Sequence, residues 1–439
     1  MVLIRNFVNI FFIPELRKKL FFTLAVLFIY RIGHHIPVIG INLIKLSDVV
    51  KQSTGLGGWF ATFDLFSGGG LSQGMLFALG ISPYITASIM MQMLTLSVPW
   101  LEEKQKEGEY GRKAINQLTR YLALGVAIIQ SFGIALIIER YELALEPGWS
   151  FRLMFMLAIT VGSMFVMWLG EQISLFGLGN GSSMIIFAGI VANFPSDIRR
   201  IFGAVVDGVL AWPIAMILFA VFLIIAACII FLEKGERKVS VQYTRRIVGQ
   251  RVYGGQSSYI PFKLNIAGVM PVIFANALLG MLSFPFAFLA AYAQGFKWLA
   301  DQLTSGSLLY NVLSFLLIIA FSFLYTTLIF NPEELADNIK KSGAFVPGIR
   351  PGRKTAEFFN YILTRLGFVG ALYLGCLALL PAIVYSILNT PSYLRSMISG
   401  TSLLIVVGVA LETAAQIESY LIEHRYEGFL SSGRLKGRV

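Results

Sequence analysis

The chain has 439 residues, 56% of them hydrophobic and 13% charged, with a formal net charge of +11. Soluble domains carry about 25% charged residues, so this balance excludes an ordinary water-soluble globule and leaves a polytopic membrane protein. The two cysteines, Cys228 and Cys376, lie in apolar runs and read as buried small hydrophobes, not as a disulfide framework.

The N-terminal stretch MVLIRNFVNIFFIPELRKKL mixes Phe and Ile with Arg17, Lys18 and Lys19 and has no small-residue cleavage site. It reads as an amphipathic piece on the membrane surface, not as a cleavable signal. A helix crosses the hydrocarbon layer with about 20 apolar residues. Ten segments qualify in chain order: 20–38, 75–98, 118–138, 153–172, 181–200, 210–232, 265–292, 308–330, 363–386 and 398–420. The fifth is the weakest, because its apolar part MIIFAGIVANF is short. An even number puts both termini on one side.

With the termini cytosolic, the inner segments hold 26 of the 35 Lys and Arg, the outer loops hold eight, and Arg31 closes the first span. That bias predicts cytosolic termini. The inner loops 233–264 and 331–362 are basic and far longer than the usual connection of about 4–6 residues. Topology alone accounts for most of their charge, and an acidic partner such as RNA or an acidic protein surface suits their length.

The second span begins oddly. Leu65 to Met93 has no charged residue, yet Gly68, Gly69, Gly70 and Gly74 crowd its front and Pro83 interrupts it. Such breaks often mark a substrate path. Irregular backbone at membrane depth is tolerated only against protein or a water-filled cavity. Two readings stand: a re-entrant piece inside a cavity, or an external loop with a few apolar residues.

The first nine spans carry almost no ionisable residue in their interiors, whereas pumps place carboxylates or histidines there. Glu412 and Glu418 stand near the end of the last span. No His/Cys cluster has metal-ligand spacing. No GxxxxGK[ST] run occurs, and Gly177, Gly179 and Gly181 read as a helix-entry turn. The pattern predicts a passive conduit that is no enzyme, holds no cofactor and draws its energy from a partner.

Six stretches, in one order, resemble the SecY/Sec61 family of protein-conducting channels, its bacterial SecY branch most. They are FSGGGLSQGMLFALGISPYITASIMMQML (66–94), GEYGRKAINQLTRY (108–121), LGNGSSMIIFAGIV (178–191), EKGERKVSVQY (233–243), ADNIKKSGAFVPGIRPG (336–352) and GTSLLIVVGVALETAAQ (400–416). The resemblance covers nearly the whole chain. It implies an all-α polytopic fold of ten transmembrane helices in two pseudo-symmetric five-helix halves, 1–200 and 201–439, with a short re-entrant plug helix at about 61–74.

On that resemblance, Phe63, Leu65 and Phe66 give the plug its apolar face, and Gly68, Gly69 and Gly70 let the chain re-enter. The pore ring falls on Ile81, Ile85, Ile186, Ile190, Ile273 and Ile405. Residues four apart share a helix face, and an apolar ring excludes ions by dewetting while offering a passing chain no hydrogen bond. A lateral gate to lipid carries Thr86, Gln92, Gln130 and Asn276; ordinary interhelical hydrogen bonding is the competing reading of these four. Arg245, Arg246, Arg251 and Arg350 fall on the docking loops for the motor ATPase SecA and the ribosome.

The resemblance further implies the pore-forming subunit of a protein translocase. Such a subunit conducts unfolded secretory polypeptides and releases transmembrane helices laterally into lipid. Its partners would be the small membrane subunits SecE and SecG, SecA, ribosomes, signal peptides and nascent polypeptides. A bacterial cytoplasmic membrane is the expected location. The outer region 193–212, a hinge between halves in the family, matches no sharp motif. Two rivals differ in class: a secondary transporter, which needs midplane carboxylates, and an insertase with a groove and no closed pore.

Overall fold

The computed structural model describes residues 13–46, 67–243, 246–248, 251–253, 257–292, 294–303, 307–388 and 400–431. Each of the ten predicted spans is met by a helix. In chain order these are α1 (Pro14–Gly33), α2 (Ser82–Ser97), α4 (Glu109–Arg140), α5 (Trp149–Phe176), α6 (Gly181–Val206), α7 (Trp212–Lys234), α8 (Met270–Tyr292), α10 (Leu308–Ile329), α12 (Arg353–Ile387) and α13 (Gly400–Ser431). Three shorter helices, α3 (Pro99–Lys106), α9 (Lys297–Gln302) and α11 (Pro332–Lys341), lie between them.

Six helices of the described residues are individually long and apolar enough to cross a membrane, seven if α2 and α3 count as one span bent by 99°. The bend has a local cause. Pro99 pushes Val98 into extended backbone (φ −108°, ψ 111°) and then opens α3 from its first turn. Helix α7 is the most apolar, and only 17% of its hydrophobic window is buried. Phe219, Leu223, Ile224 and Phe231 on it face outward. An outward apolar belt of this kind fits lipid and not water.

Within lipid no hydrophobic force drives helices together, so close backbone approach at small residues decides packing. At the junction of α5 and α6 a Cβ on Gly181 would lie 1.7 Å from the Gly170 carbonyl oxygen. Gly177 closes α5 and Asn180 caps α6 through Ser182 N–H, so this glycine run is the expected helix-entry turn.

Four local readings change. Of the N-terminal stretch, Arg17, Lys18 and Lys19 belong to α1, while residues 1–12 lie outside the described residues. The second span starts as helix only at Ser82, because Met75 bridges to Pro37 and 76–81 is a series of turns. Helix α6 runs on to Val206 through Pro195, so most of 193–212 is helix and not loop. Cys376 is exposed on α12, and both cysteines are free.

The two long basic loops also carry strands that the helical periodicity did not announce. β1 (Glu236–Tyr243) pairs antiparallel with β4 (Ser257–Lys263), from Glu236 opposite Lys263 to Gln242 opposite Ser257. Its other edge takes β5 (Ala344–Phe345), with Gln242 opposite Phe345. β2 (Arg246–Val248) and β3 (Arg251–Tyr253) form a separate hairpin. Val239, Val241, Phe262, Ala344, Val346 and Phe359 close a core beneath the three-stranded sheet. The loops at 233–264 and 331–362 are therefore joined by one small hydrophobic platform.

Candidate functional site

The ring positions come from four helices. Ile81 stands at the mouth of α2, and the Ile85 N–H donates to the Ile81 carbonyl at 3.1 Å, so the two share a face in the first turn. Ile186 and Ile190 share a face of α6; Ile273 lies on α8 and Ile405 on α13. All six are buried in a single apolar cluster, with Val166, Leu169, Ile185 and Val409 around them. Helix α5 backs this cluster at Gly170, where a Cβ would sit 3.3 Å from Ile81 Cδ1 and 3.2 Å from Ile185 Cδ1.

The glycine-rich segment is not an exposed loop from Ser67 onward. Ser67 is fully buried, and Leu71, Phe77, Ala78 and Leu79 are buried after it. Gly68 takes φ +63°, a left-handed turn that suits glycine, and a Cβ there would come within 2.8 Å of Gly189 Cα on α6. The segment is pinned to the chain after α1: Leu76 N–H donates to Ile36 O at 2.8 Å, and Val38 N–H to Gly74 O at 2.9 Å. Ser163 on α5 donates to Gly80 O at 3.1 Å. Phe63, Leu65 and Phe66 lie outside the described residues, and of the expected plug positions only Gly68, Gly69 and Gly70 are placed.

The four polar seam residues behave differently from one another. Gln92 Nε2 donates across from α2 to the Tyr325 hydroxyl of α10 at 3.5 Å, a long bond. Thr86 spends its proton on Ser82 O of its own helix at 3.0 Å. Gln130 Oε1 on α4 and Asn276 Oδ1 on α8 are buried without a hydrogen-bond partner. Helix α8 touches both α2 and α4, so these groups lie along one helical seam.

On the strand platform Arg350 is exposed at the end of the loop that leaves β5. Its backbone is fixed: Thr355 Oγ1 donates to Arg350 O at 2.9 Å, and Thr355 is buried. Arg246 and Arg251 stand on the paired strands β2 and β3, opposite Tyr253 and Val248. Arg245 lies outside the described residues.

Two things escaped the sequence reading. His34, inside the first expected span, is buried and bonds the glycine segment. A histidine within a hydrophobic run was the available signal. The strand β1 could also have been read, since Val239 and Val241 alternate with polar residues at period two.

A sequence model of the SecY family matches residues 75–414. The protein translocase subunit SecY of Streptomyces galbus is 43% identical over 437 residues, covering 97% of this chain and 99% of the relative. That of Escherichia coli K12 is 42% identical over 433 residues, covering 96% of each. Among solved structures, one described as a protein-conducting channel superposes with a TM-score of 0.65 at 17% identity over 92% of each chain. Sec61 in a canine ribosome–channel complex gives 0.61 at 17% identity, again over 92% of each. At such identities the structures speak for the fold alone, and the sequence relatives carry the family. Its near-complete overlap with translocase subunits at over two-fifths identity makes this chain a member of the SecY family.

Proposed function

We propose that this chain is the pore-forming subunit of a Sec protein translocase, a passive channel for unfolded polypeptides with a lateral exit to lipid. The observation that carries the reading is the gathering of six isoleucines from four helices into one apolar cluster. That cluster lies beside a buried glycine turn, where Gly68 meets the residue preceding Ile190. A stiff β-branched ring suits a gasket that closes around a chain without binding it.

The chain divides into halves at 1–200 and 201–439, with the glycine segment as plug. The seam of α2 and α4 against α8 and α10 is the lateral gate. One weak crossing bond and two unpartnered oxygens leave that seam closed but not locked. The sheet-braced loop presenting Arg350, with Arg246 and Arg251 on the hairpin and Arg245 just before it in sequence, is the dock for SecA and for ribosomes. SecE and SecG are the membrane partners, both termini are cytosolic, the bacterial inner membrane is the location, and the chain itself is not an enzyme.

Vesicles holding the full-length chain with its membrane partners test this. With SecA and ATP they take up a secretory precursor; uptake of a small solute without the precursor would return the chain to the transporter class. In the same vesicles Arg350→Glu slows SecA-driven uptake by roughly tenfold, because charge reversal at an exposed docking residue turns attraction into repulsion. Wild-type uptake by that variant would leave Arg350 as a topology signal only.

A further inference from the structure

Two side chains at the end of α1, Tyr30 in its last turn and His34 at its C-cap, reach consecutive carbonyls of the glycine segment. His34 Nε2 lies 2.9 Å from Gly68 O, and the Tyr30 hydroxyl donates to Ser67 O at 3.5 Å, a long bond. A carbonyl oxygen only accepts, so Nε2 carries the ring proton. Nδ1 is then an acceptor, and it is buried with no partner. A buried polar atom without a partner is unfavourable. A plain apolar ring would avoid that penalty, so the bond to Gly68 is the feature that the histidine adds.

The surroundings make this contact a clamp. Tyr30 stacks on Phe77, with ring centroids 6.0 Å apart and planes 6° from parallel. Phe77 follows the glycines in sequence, so both ends of the segment are held against α1. On the opposite side Gly68 leans on Gly189 of α6, and a Cβ at Gly70 would fall 2.7 Å from His34 Cε1. The turn is wedged between two donors at the end of α1 and the helix that carries Ile186 and Ile190.

We infer that His34 is the latch of the plug: its Nε2–H bond to Gly68 O, backed by Tyr30, holds the root of the glycine turn beside the isoleucine ring and sets how readily a signal sequence displaces it. The gating half of this inference rests on the plug reading above; the anchoring half rests on the geometry. A bond to a backbone carbonyl needs no matching side chain on the moving segment, so it can break and re-form. A single neutral hydrogen bond shifts an equilibrium by about two- to tenfold. The latch therefore biases the closed position without locking it, and His34 and Tyr30 act as positioning residues.

The test uses the full-length chain with its membrane partners, reconstituted. His34→Phe keeps a ring and loses the donor, His34→Gln keeps an N–H donor, and Tyr30→Phe loses one oxygen. The first readout is hydrogen–deuterium exchange over 68–76, where Gly74 N–H is bonded to Leu71 O and Met75 N–H to Gly70 O. The second is ion leak, with a chain lacking 61–72 as reference.

His34→Phe is expected to exchange about two- to tenfold faster and to leak more by a similar factor, with His34→Gln close to wild type. The deletion is expected to leak most and to admit weak signal sequences. Wild-type exchange in His34→Phe overturns the latch. Faster exchange with leak in the deletion but not in His34→Phe overturns its gating role and leaves the plug reading intact. Faster exchange with no leak in either overturns the gating role and the plug reading together. Should His34→Phe not fold, Tyr30→Phe carries the same test, and exchange as slow as wild type overturns the clamp.

Discussion

Ile190→Asn raises the resting ion leak of reconstituted vesicles by roughly tenfold or more. Ile190 is buried in the apolar cluster that also holds Ile81, Ile85, Ile186, Ile273 and Ile405. Asparagine has as many side-chain heavy atoms but carries a carboxamide, and the isoleucines around it offer neither donor nor acceptor. Leaving an amide buried and unpaired costs about 1–3 kcal/mol. Admitting water removes that penalty, and every 1.4 kcal/mol is about tenfold in population. A wet constriction passes ions that a dry one excludes. Ile190→Leu, which keeps the apolar surface, stays tight. Single-channel or vesicle-leak recordings decide the matter: an Ile190→Asn channel as tight as wild type would remove this residue from the ring.

Gly181→Val destabilises the protein by about 2–4 kcal/mol, read as a lower thermal unfolding midpoint in detergent or nanodiscs. The Cβ alone would lie 1.7 Å from Gly170 O and 2.6 Å from Gly170 C, so helices α5 and α6 must move apart. That backbone cannot yield as a flexible side chain would. Separation also loosens the support behind Ile81 and Ile185, which lie against Gly170. Gly203 on the same helix supplies the contrast, because a Cβ there meets nothing within 4 Å. Gly203→Ala is therefore neutral or mildly stabilising, by up to about 1 kcal/mol, through helix propensity alone. Equal midpoints for the two variants would show that the α5–α6 approach is not set by these glycines.

The predicted functional residues divide by how much of their surroundings is local. The i,i+4 pairs Ile81/Ile85 and Ile186/Ile190 needed only helical periodicity to share a face. Their meeting with Ile273 and Ile405 is a matter of packing between elements more than 80 residues apart. The glycine run announced an irregular backbone, yet its burial against Gly189 and its tie to His34 depend on partners over 30 residues away in sequence. Arg350 was marked by its motif. The platform beneath it, where β5 joins β1 across about 100 residues, leaves no periodic trace in a two-residue strand.

What the sequence determined by itself was the solvent. Apolar runs of spanning length must enter lipid as helices, since unpaired backbone there costs several kcal/mol per group. Only the tertiary structure decided which helix faces meet, where the second span begins, and what holds the glycine turn. Inside a bilayer these depend on close approach at Gly170–Gly181 and Gly68–Gly189 and on single hydrogen bonds. Such contacts join residues that no local pattern connects.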